Sequence, residues 1–251
     1  MKQSLFDITA NSPLTESVYK MTLCGDISGI TSPGQFVNIK LDGMYLRRPI
    51  SVCDVDRKNG ILTIIYKVVG KGTQMMSEMR AGCAKLDVLT GLGNGYDTDT
   101  SKSGSSPLLL GGGVGVPPLY MLAKQLVSEE KHVSVILGFN TKSEVFYEAE
   151  FRGLGANVAV TTADGSYGIR GFVTDAMRNY ENYSYFYTCG PEPMLKAVYK
   201  ASNTSGQFSF EERMGCGFGA CMGCTCKTVT GYKRICKDGP VLEKEEILWE
   251  D

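Results

Sequence analysis

A chain of 251 residues, 43% hydrophobic and 21% charged, has the composition of a globular protein with room for one large or two ordinary domains. Its formal net charge of −1 gives no electrostatic case for nucleic acid or an anionic membrane surface. No run approaches the ~18 apolar residues of a membrane span, and Met1 to Asp7 form no apolar signal segment; nine cysteines without one point to metal or redox chemistry in a reducing, cytoplasmic setting.

Residues 1–100 read as all-β. Val18–Leu23 and Gln35–Ile39 alternate, and Ile61–Lys67 is rich in β-formers. Turn signals at Ser32-Pro33-Gly34, Asp42-Gly43 and Asn59-Gly60 separate them, so a small antiparallel barrel is expected. Within it, Arg47-Arg48-Pro49-Ile50-Ser51-Val52 carries a proline that confines the strand to an edge or to its own start, leaving backbone groups free for a ligand. An arginine and a serine on such a segment suit a pyrophosphate; an exposed basic edge strand is the plainer alternative. Val68 to Met76 places Gly70-Lys71-Gly72-Thr73 at a helix start, a ready anion site but a weak motif alone.

The polar stretch 97–106 reads as a linker, after which strand and helix alternate. Pro107–Leu110 is a short buried strand running into Gly111-Gly112-Gly113-Val114-Gly115-Val116-Pro117-Pro118 and a helix. Strand, glycine turn and helix is an arrangement that places phosphate at a helix N-terminus, although a tight turn without a ligand has the same signature. Strands His132–Phe139, Asn157–Thr162 and Tyr183–Thr188 alternate with helices Glu144–Arg152 and Phe172–Tyr180, the rhythm of a parallel α/β sheet over 101–206. The last strand ends in Cys189-Gly190-Pro191, where a nicotinamide could lie, since ligands bind at the carboxyl ends of such strands.

Residues 207–251 hold Cys216, Cys221, Cys224 and Cys236 in a C-x4-C-x2-C-x11-C pattern, the spacing of a plant-type 2Fe–2S cluster. Small residues between them let the loop wrap closely and aim N–H groups at sulfur. Structural zinc is the alternative, and Cys226 adds a possible competing thiolate. A Rieske centre is excluded, because the chain has one histidine. Cys24, Cys53 and Cys83 are scattered and read as small buried residues. With no Ser–His–Asp set and no second histidine, no catalytic residues are assigned.

Four segments in order, Arg48-Pro49-Ile50-Ser51, Gly111 to Tyr120, Cys189 to Met194, and Glu211 to Cys226 with Cys236-Lys237-Asp238-Gly239-Pro240, give the chain a resemblance to the ferredoxin–NADP reductase superfamily. More narrowly it resembles the electron-transfer subunits of heteromeric, NAD-linked dihydroorotate dehydrogenase. The resemblance implies an α+β multidomain chain: a barrel holding FAD, an α/β domain taking NAD and a C-terminal 2Fe–2S loop. FAD would be held by Arg48, Pro49, Ile50, Ser51, Ile65, Tyr66, Lys67, Gly72 and Thr73, and NAD by Gly112, Gly113, Gly115, Cys189 and Gly190. Ile50 replaces the aromatic of the broader motif, which makes Tyr66 the expected stacking residue. The partner implied is an FMN-containing catalytic subunit, two copies of each chain forming a heterotetramer. Dihydroorotate would be oxidised there, with electrons passing through the cluster and FAD to NAD+. A diaphorase subunit of a ferredoxin-, sulfide- or hydrogenase-linked complex is the alternative, and Asn140-Thr141-Lys142-Ser143 leaves a 2′-phosphate on the nicotinamide cofactor open.

Overall fold

Period-two alternation turns one face of each N-terminal strand inward, burying Phe6, Met21, Leu23, Val37, Ile39, Val52, Leu62, Ile64 and Val88. The computed structural model describes residues 1–82, 85–99, 106–180 and 182–249; Cys83 and positions 100–105 of the expected linker lie outside them. Strands β1 (Lys2–Pro13), β2 (Val18–Cys24), β3 (Phe36–Ile39), β4 (Arg48–Asp56), β5 (Ile61–Lys67) and β6 (Lys85–Leu92) close an antiparallel barrel in the order β1-β2-β5-β4-β3-β6. Helix α1 (Lys71–Glu78) leaves the end of β5, and its C-terminal carbonyls are tied to the barrel by Asn11, whose Nδ2 donates to Met76 O at 2.8 Å and Met79 O at 2.9 Å.

The second half alternates β7 (Pro107–Gly112), α2 (Pro117–Ser128), β8 (Ser134–Phe139), α3 (Glu148–Gly153), β9 (Asn157–Thr162), β10 (Ile169–Arg170), α4 (Val173–Met177), β11 (Tyr185–Cys189), α5 (Glu192–Ala201) and β12 (Gly206–Ser209). These strands form a parallel sheet in the order β10-β9-β8-β7-β11-β12. The cluster segment carries the hairpin β13 (Thr225–Thr228) and β14 (Gly231–Arg234), then returns as β15 (Val241–Glu243), antiparallel to β12 with Val241 opposite Ser209. Strand β12 therefore runs across the expected boundary at 206, and the end of the chain belongs to the nucleotide-domain sheet.

Helices cover both faces. Leu119, Leu122 and Leu126 of α2 and Phe151 of α3 pack on one, where Cys53 and Ile65 of the barrel join them. Val173, Ala176, Leu195 and Val198 pack on the other, together with Phe36 and Leu92 of the barrel and Cys224, Ile235 and Cys236 of the cluster segment. The halves are also linked by the Lys124–Asp54 ion pair at 3.0 Å and by Tyr96, whose hydroxyl donates to Thr188 O at 3.2 Å. Of the scattered cysteines, Cys53 is buried as expected while Cys24 is only half-buried. Among the described residues no helix is long and apolar enough to cross a membrane.

Candidate functional site

Three features converge where the barrel meets the sheet. The first is a gap in the barrel ladder. Strand β4 pairs with β3 through Arg48 to Ser51, but with β5 only from Val52, opposite Ile64. Beyond Ile64, β5 pairs with β2 alone, Ile65 opposite Lys20 and Lys67 opposite Val18. The facing edges of Arg48–Ser51 and Ile65–Lys67 thus diverge and leave backbone groups unclaimed. Pro49 sits in this opening, near the start of its strand, where it interrupts no bond to β5; the closed barrel has no edge strand for it to occupy. Arg47 is engaged elsewhere, bidentate on Asp87 at 3.0 Å for each pair.

Arg48 lies over the start of α1. A Cβ on Gly72 would come within 2.8 Å of its guanidinium carbon, so the absence of a side chain there is what admits the arginine. The Thr73 hydroxyl is already committed, accepting from Val69 N–H at 2.9 Å and Gly70 N–H at 3.2 Å and donating to Gly70 O at 3.1 Å. It closes the turn, and the groups left for an anion are the first-turn N–H groups of α1, which have no intrahelical acceptor. Tyr66 does not fit the stacking role expected of it. Its ring is 2% exposed inside the barrel and its hydroxyl donates to Asn11 Oδ1 at 3.0 Å, so neither face is open to a flavin. Burial, partly opposed by that hydrogen bond, pushes the hydroxyl up to about 12.

The second feature is a cavity of about 500 Å³ at the carboxyl ends of β7, β8, β9 and β11, the position ligands take on such sheets. Gly112, Gly113 and Gly115 line one wall, Gly190 and Met194 another, and Lys67 reaches it from the barrel. Gly113 takes φ +53°, and Gly115 lies so close to the Cys189 carbonyl that a Cβ would stand 2.6 Å from Gly190 Cα. The thiol of Cys189 does not line the cavity. It is 3% exposed within the core, and burial, with the nearby Glu211 carboxylate adding to it, pushes the thiol up to about 12. The backbone of Gly190 forms the wall instead. Sequence reasoning missed Glu144, Thr161 and Glu211, which also line the cavity. Thr161 is fully buried with its hydroxyl unpartnered, a group whose desolvation a bound ligand would offset. Their common signal is a polar residue at or just beyond a strand's carboxyl end.

The third feature is the cysteine loop. Gly217 at φ +79°, Gly219 at φ +89° and Met222 at φ +61° bend it tightly. Backbone N–H groups turn onto sulfur: Ala220 on Cys216 at 3.2 Å, Gly219 on Cys236 at 3.1 Å and Cys236 on Cys224 at 3.4 Å. These contacts set Cys221 against Cys216, its N–H 3.4 Å from Cys216 Sγ, and Cys236 against Cys224 in the same way. Among the described residues no three potential ligands gather as one ion would need. Cys216, Cys221, Cys224 and Cys236 would be the thiolates to hold a 2Fe–2S cluster, whereas tetrahedral zinc draws four ligands to one point. Burial raises the Cys216 thiol, but the N–H groups of Phe218, Cys221 and Ala220, with the Cys221 side chain, outweigh it and bring it down to about 6. Cys226 lies apart on β13, opposite Lys233. Asn38 ties the loop to the barrel: it is 1% exposed, stands opposite Pro49 in the ladder, and donates to Cys216 O at 3.3 Å.

Comparison with known proteins agrees with this layout. Residues 211–248 match the family model described as the iron–sulfur cluster binding domain of dihydroorotate dehydrogenase B, and residues 109–200 match an oxidoreductase NAD-binding domain. The chain is 43% identical to the dihydroorotate dehydrogenase B (NAD(+)) electron transfer subunit of Geobacillus sp. (strain WCH70), over 99% of each chain. It is 45% identical to that of Fusobacterium nucleatum subsp. nucleatum, over 96% of each. Among solved structures, an NADH-dependent reduced ferredoxin–NADP oxidoreductase superposes with a TM-score of 0.88 at 31% identity, covering 98% of this chain and 90% of the other. A Neisseria gonorrhoeae ferredoxin NADP+ reductase with bound FAD and NADP shares the fold alone, with a TM-score of 0.69 at 16% identity over 80% of this chain and 90% of that one. Identity of this order along practically the whole length, with the cluster loop matched in its own right, means that the chain belongs to the family of electron transfer subunits of dihydroorotate dehydrogenase B (NAD(+)).

Proposed function

We propose that the chain holds FAD in the opening between β4 and β5 and a 2Fe–2S cluster on Cys216, Cys221, Cys224 and Cys236. It takes NAD(H) in the cavity and works in the cytoplasm with an FMN-containing catalytic subunit, two copies of each forming a heterotetramer. The observation that carries this is that one barrel wall serves all three places. Asn38 stands opposite Pro49 and holds the cysteine loop, while Lys67 belongs to the opening and also lines the cavity. A flavin exchanges hydride with nicotinamide and single electrons with an iron–sulfur cluster, which is the chemistry these groups supply when bound.

The chain's own residues position and insulate. Arg48 and the first turn of α1 offer a cation and free N–H donors to a pyrophosphate. The edge of Ile65–Lys67 that faces away from β2 offers backbone donors and acceptors to a ring edge. The glycine walls at 112–115 and 190 admit a flat ligand close to the main chain. The N–H groups on sulfur stabilise thiolate over thiol and tune a bound cluster.

The test is Cys221→Ser, shown to be folded and flavin-loaded. It should still oxidise NADH with an artificial acceptor that takes electrons at the flavin. With the catalytic subunit present, it should lose dihydroorotate-to-NAD+ turnover. Normal coupled turnover by this variant would mean that the cysteine loop is only a staple.

A further inference from the structure

We infer that Glu144 selects the nicotinamide cofactor without a 2′-phosphate, by accepting hydrogen bonds from its adenosine ribose; this rests on the NAD(H) reading of the cavity. Strand β8 lies beside β7, whose end carries the glycine turn, and Glu144 lines the same cavity just beyond the end of β8. Its carboxylate is held in place: Oε2 accepts from Asn140 N–H at 3.2 Å and from Asn140 Nδ2 at 2.9 Å. No hydrogen bond to Oε1 is formed among the described residues. A fixed carboxylate with a free oxygen is the acceptor that a ribose diol needs.

The neighbouring segment, which by sequence could have received a 2′-phosphate, is turned to other uses. The hydroxyls of Thr141 and Ser143 bond to each other at 2.8 Å. Lys142 N–H donates to Ser166 Oγ at 2.8 Å, and the Lys142 ammonium stands 5.8 Å from the Tyr167 ring centre. The stem of Arg170 packs against Gly165. Among the described residues that line the cavity, Lys67 is the sole cation, and it comes from the barrel. A phosphate monoester of about −1.5 to −2 charge at this place would therefore face the Glu144 carboxylate, and no described cavity-lining residue of the nucleotide domain is a cation that offsets it.

Titration calorimetry on the FAD- and cluster-loaded protein tests this with two probes, ADP-ribose and 2′-phospho-ADP-ribose. Wild type should bind ADP-ribose and bind the phosphorylated probe roughly a hundredfold more weakly. Glu144→Gln should narrow that ratio by roughly tenfold or more, and the NADH-to-NADPH ratio of kcat/KM with an artificial acceptor should narrow with it. Asn140→Ala, which loosens the carboxylate but leaves its charge, should weaken ADP-ribose by severalfold and carries the test if circular dichroism shows Glu144→Gln misfolded. Folded variants that bind both probes in the wild-type ratio would overturn the role of Glu144 while leaving the cavity as the nicotinamide site. A wild-type protein that binds neither probe would overturn both.

Discussion

Replacing Gly115 with alanine tests whether the glycine turn and the end of β11 form one rigid wall. The new Cβ would lie 2.5 Å from the Cys189 carbonyl carbon and 2.6 Å from Gly190 Cα, and closer still to the Cys189 oxygen. All of these are main-chain atoms at the carboxyl end of β11, a strand held between β7 and β12, or of the residue just after it, so no side-chain rotation can clear the space. Ordinary contact begins near 3.4 Å, so the two segments must part by about 1 Å. Overpacking costs about 1–3 kcal/mol, and rigid neighbours put this case near ~3 kcal/mol, a fall in Tm of roughly 6–12 °C for a chain of this size. A ~1 Å misplacement can reduce turnover about a hundredfold, so kcat/KM for NADH should drop by that order while flavin content, set in the barrel, holds. Gly113→Ala is the control: it has φ +53° and nothing within 4 Å of its Cβ, so only backbone strain of ~1–2 kcal/mol applies. Thermal unfolding followed by circular dichroism and steady-state NADH oxidation measure both. If Gly115→Ala melts and turns over like the parent, the close approach is not structural. If Gly113→Ala is the worse of the two, backbone conformation outweighs packing in this turn.

Three further outcomes are expected. Cys226→Ser should keep iron at about two per chain, as a plant-type cluster requires, whereas Cys224→Ser should lose it; iron and sulfide analysis showing the reverse pattern would exchange the two assignments. Arg48→Ala removes a charge-assisted bond worth ~1.5–3 kcal/mol, so flavin affinity, read by fluorescence on dilution, should fall roughly ten- to a hundredfold; unchanged affinity would place the pyrophosphate elsewhere. Tyr66→Phe leaves Asn11 Oδ1 without its donor inside the barrel. A loss of ~1–2 kcal/mol in urea unfolding is expected, with flavin content unchanged; flavin loss at full stability would mean that the Tyr66 hydroxyl, and not Asn11 alone, serves the flavin site.

Much of this layout is legible in the residues, and the exceptions have physical causes. Strands β5 and β9 begin and end where their β-branched runs do, because those runs are bounded by turns and half-buried. Strand β1 escapes notice because little of it is covered: it buries just Phe6 and Ile8 among charged and polar neighbours. Strand β6 escapes because both its faces are packed, Leu86 and Val88 in the barrel and Leu89 and Leu92 against the sheet, which blurs the alternation. The side to which β5 directs Tyr66 depends on how the barrel closes, and no local pattern specifies it; Ile64 and Tyr66 face the interior while Ile65 faces α2. Cys189 reads as a site residue from its motif, yet the alternation that exposes Gly190 to the cavity buries the thiol. Cysteine spacing is visible in sequence because ligand geometry imposes it. The side chain of Asn38, which seats the cysteine loop, acts on a partner 178 residues away and comes only from the fold.

The cysteine loop begins and ends on the same rung of the sheet, since Ser209 and Val241 pair across β12 and β15. Everything from 210 to 240 is an excursion whose two feet already stand together. Closing a loop costs little more as it lengthens, so the exposed hairpin β13–β14 can vary in length at little cost, while Cys224, Ile235 and Cys236 stay packed in the core of the sheet and Glu211 stays in the cavity wall. The two feet on one rung, the buried cysteines and the Asn38 contact together fix where this segment sits against both the barrel and the sheet. A change in this segment's core residues would therefore be felt in the sheet beneath it, and only its exposed hairpin is free to vary alone.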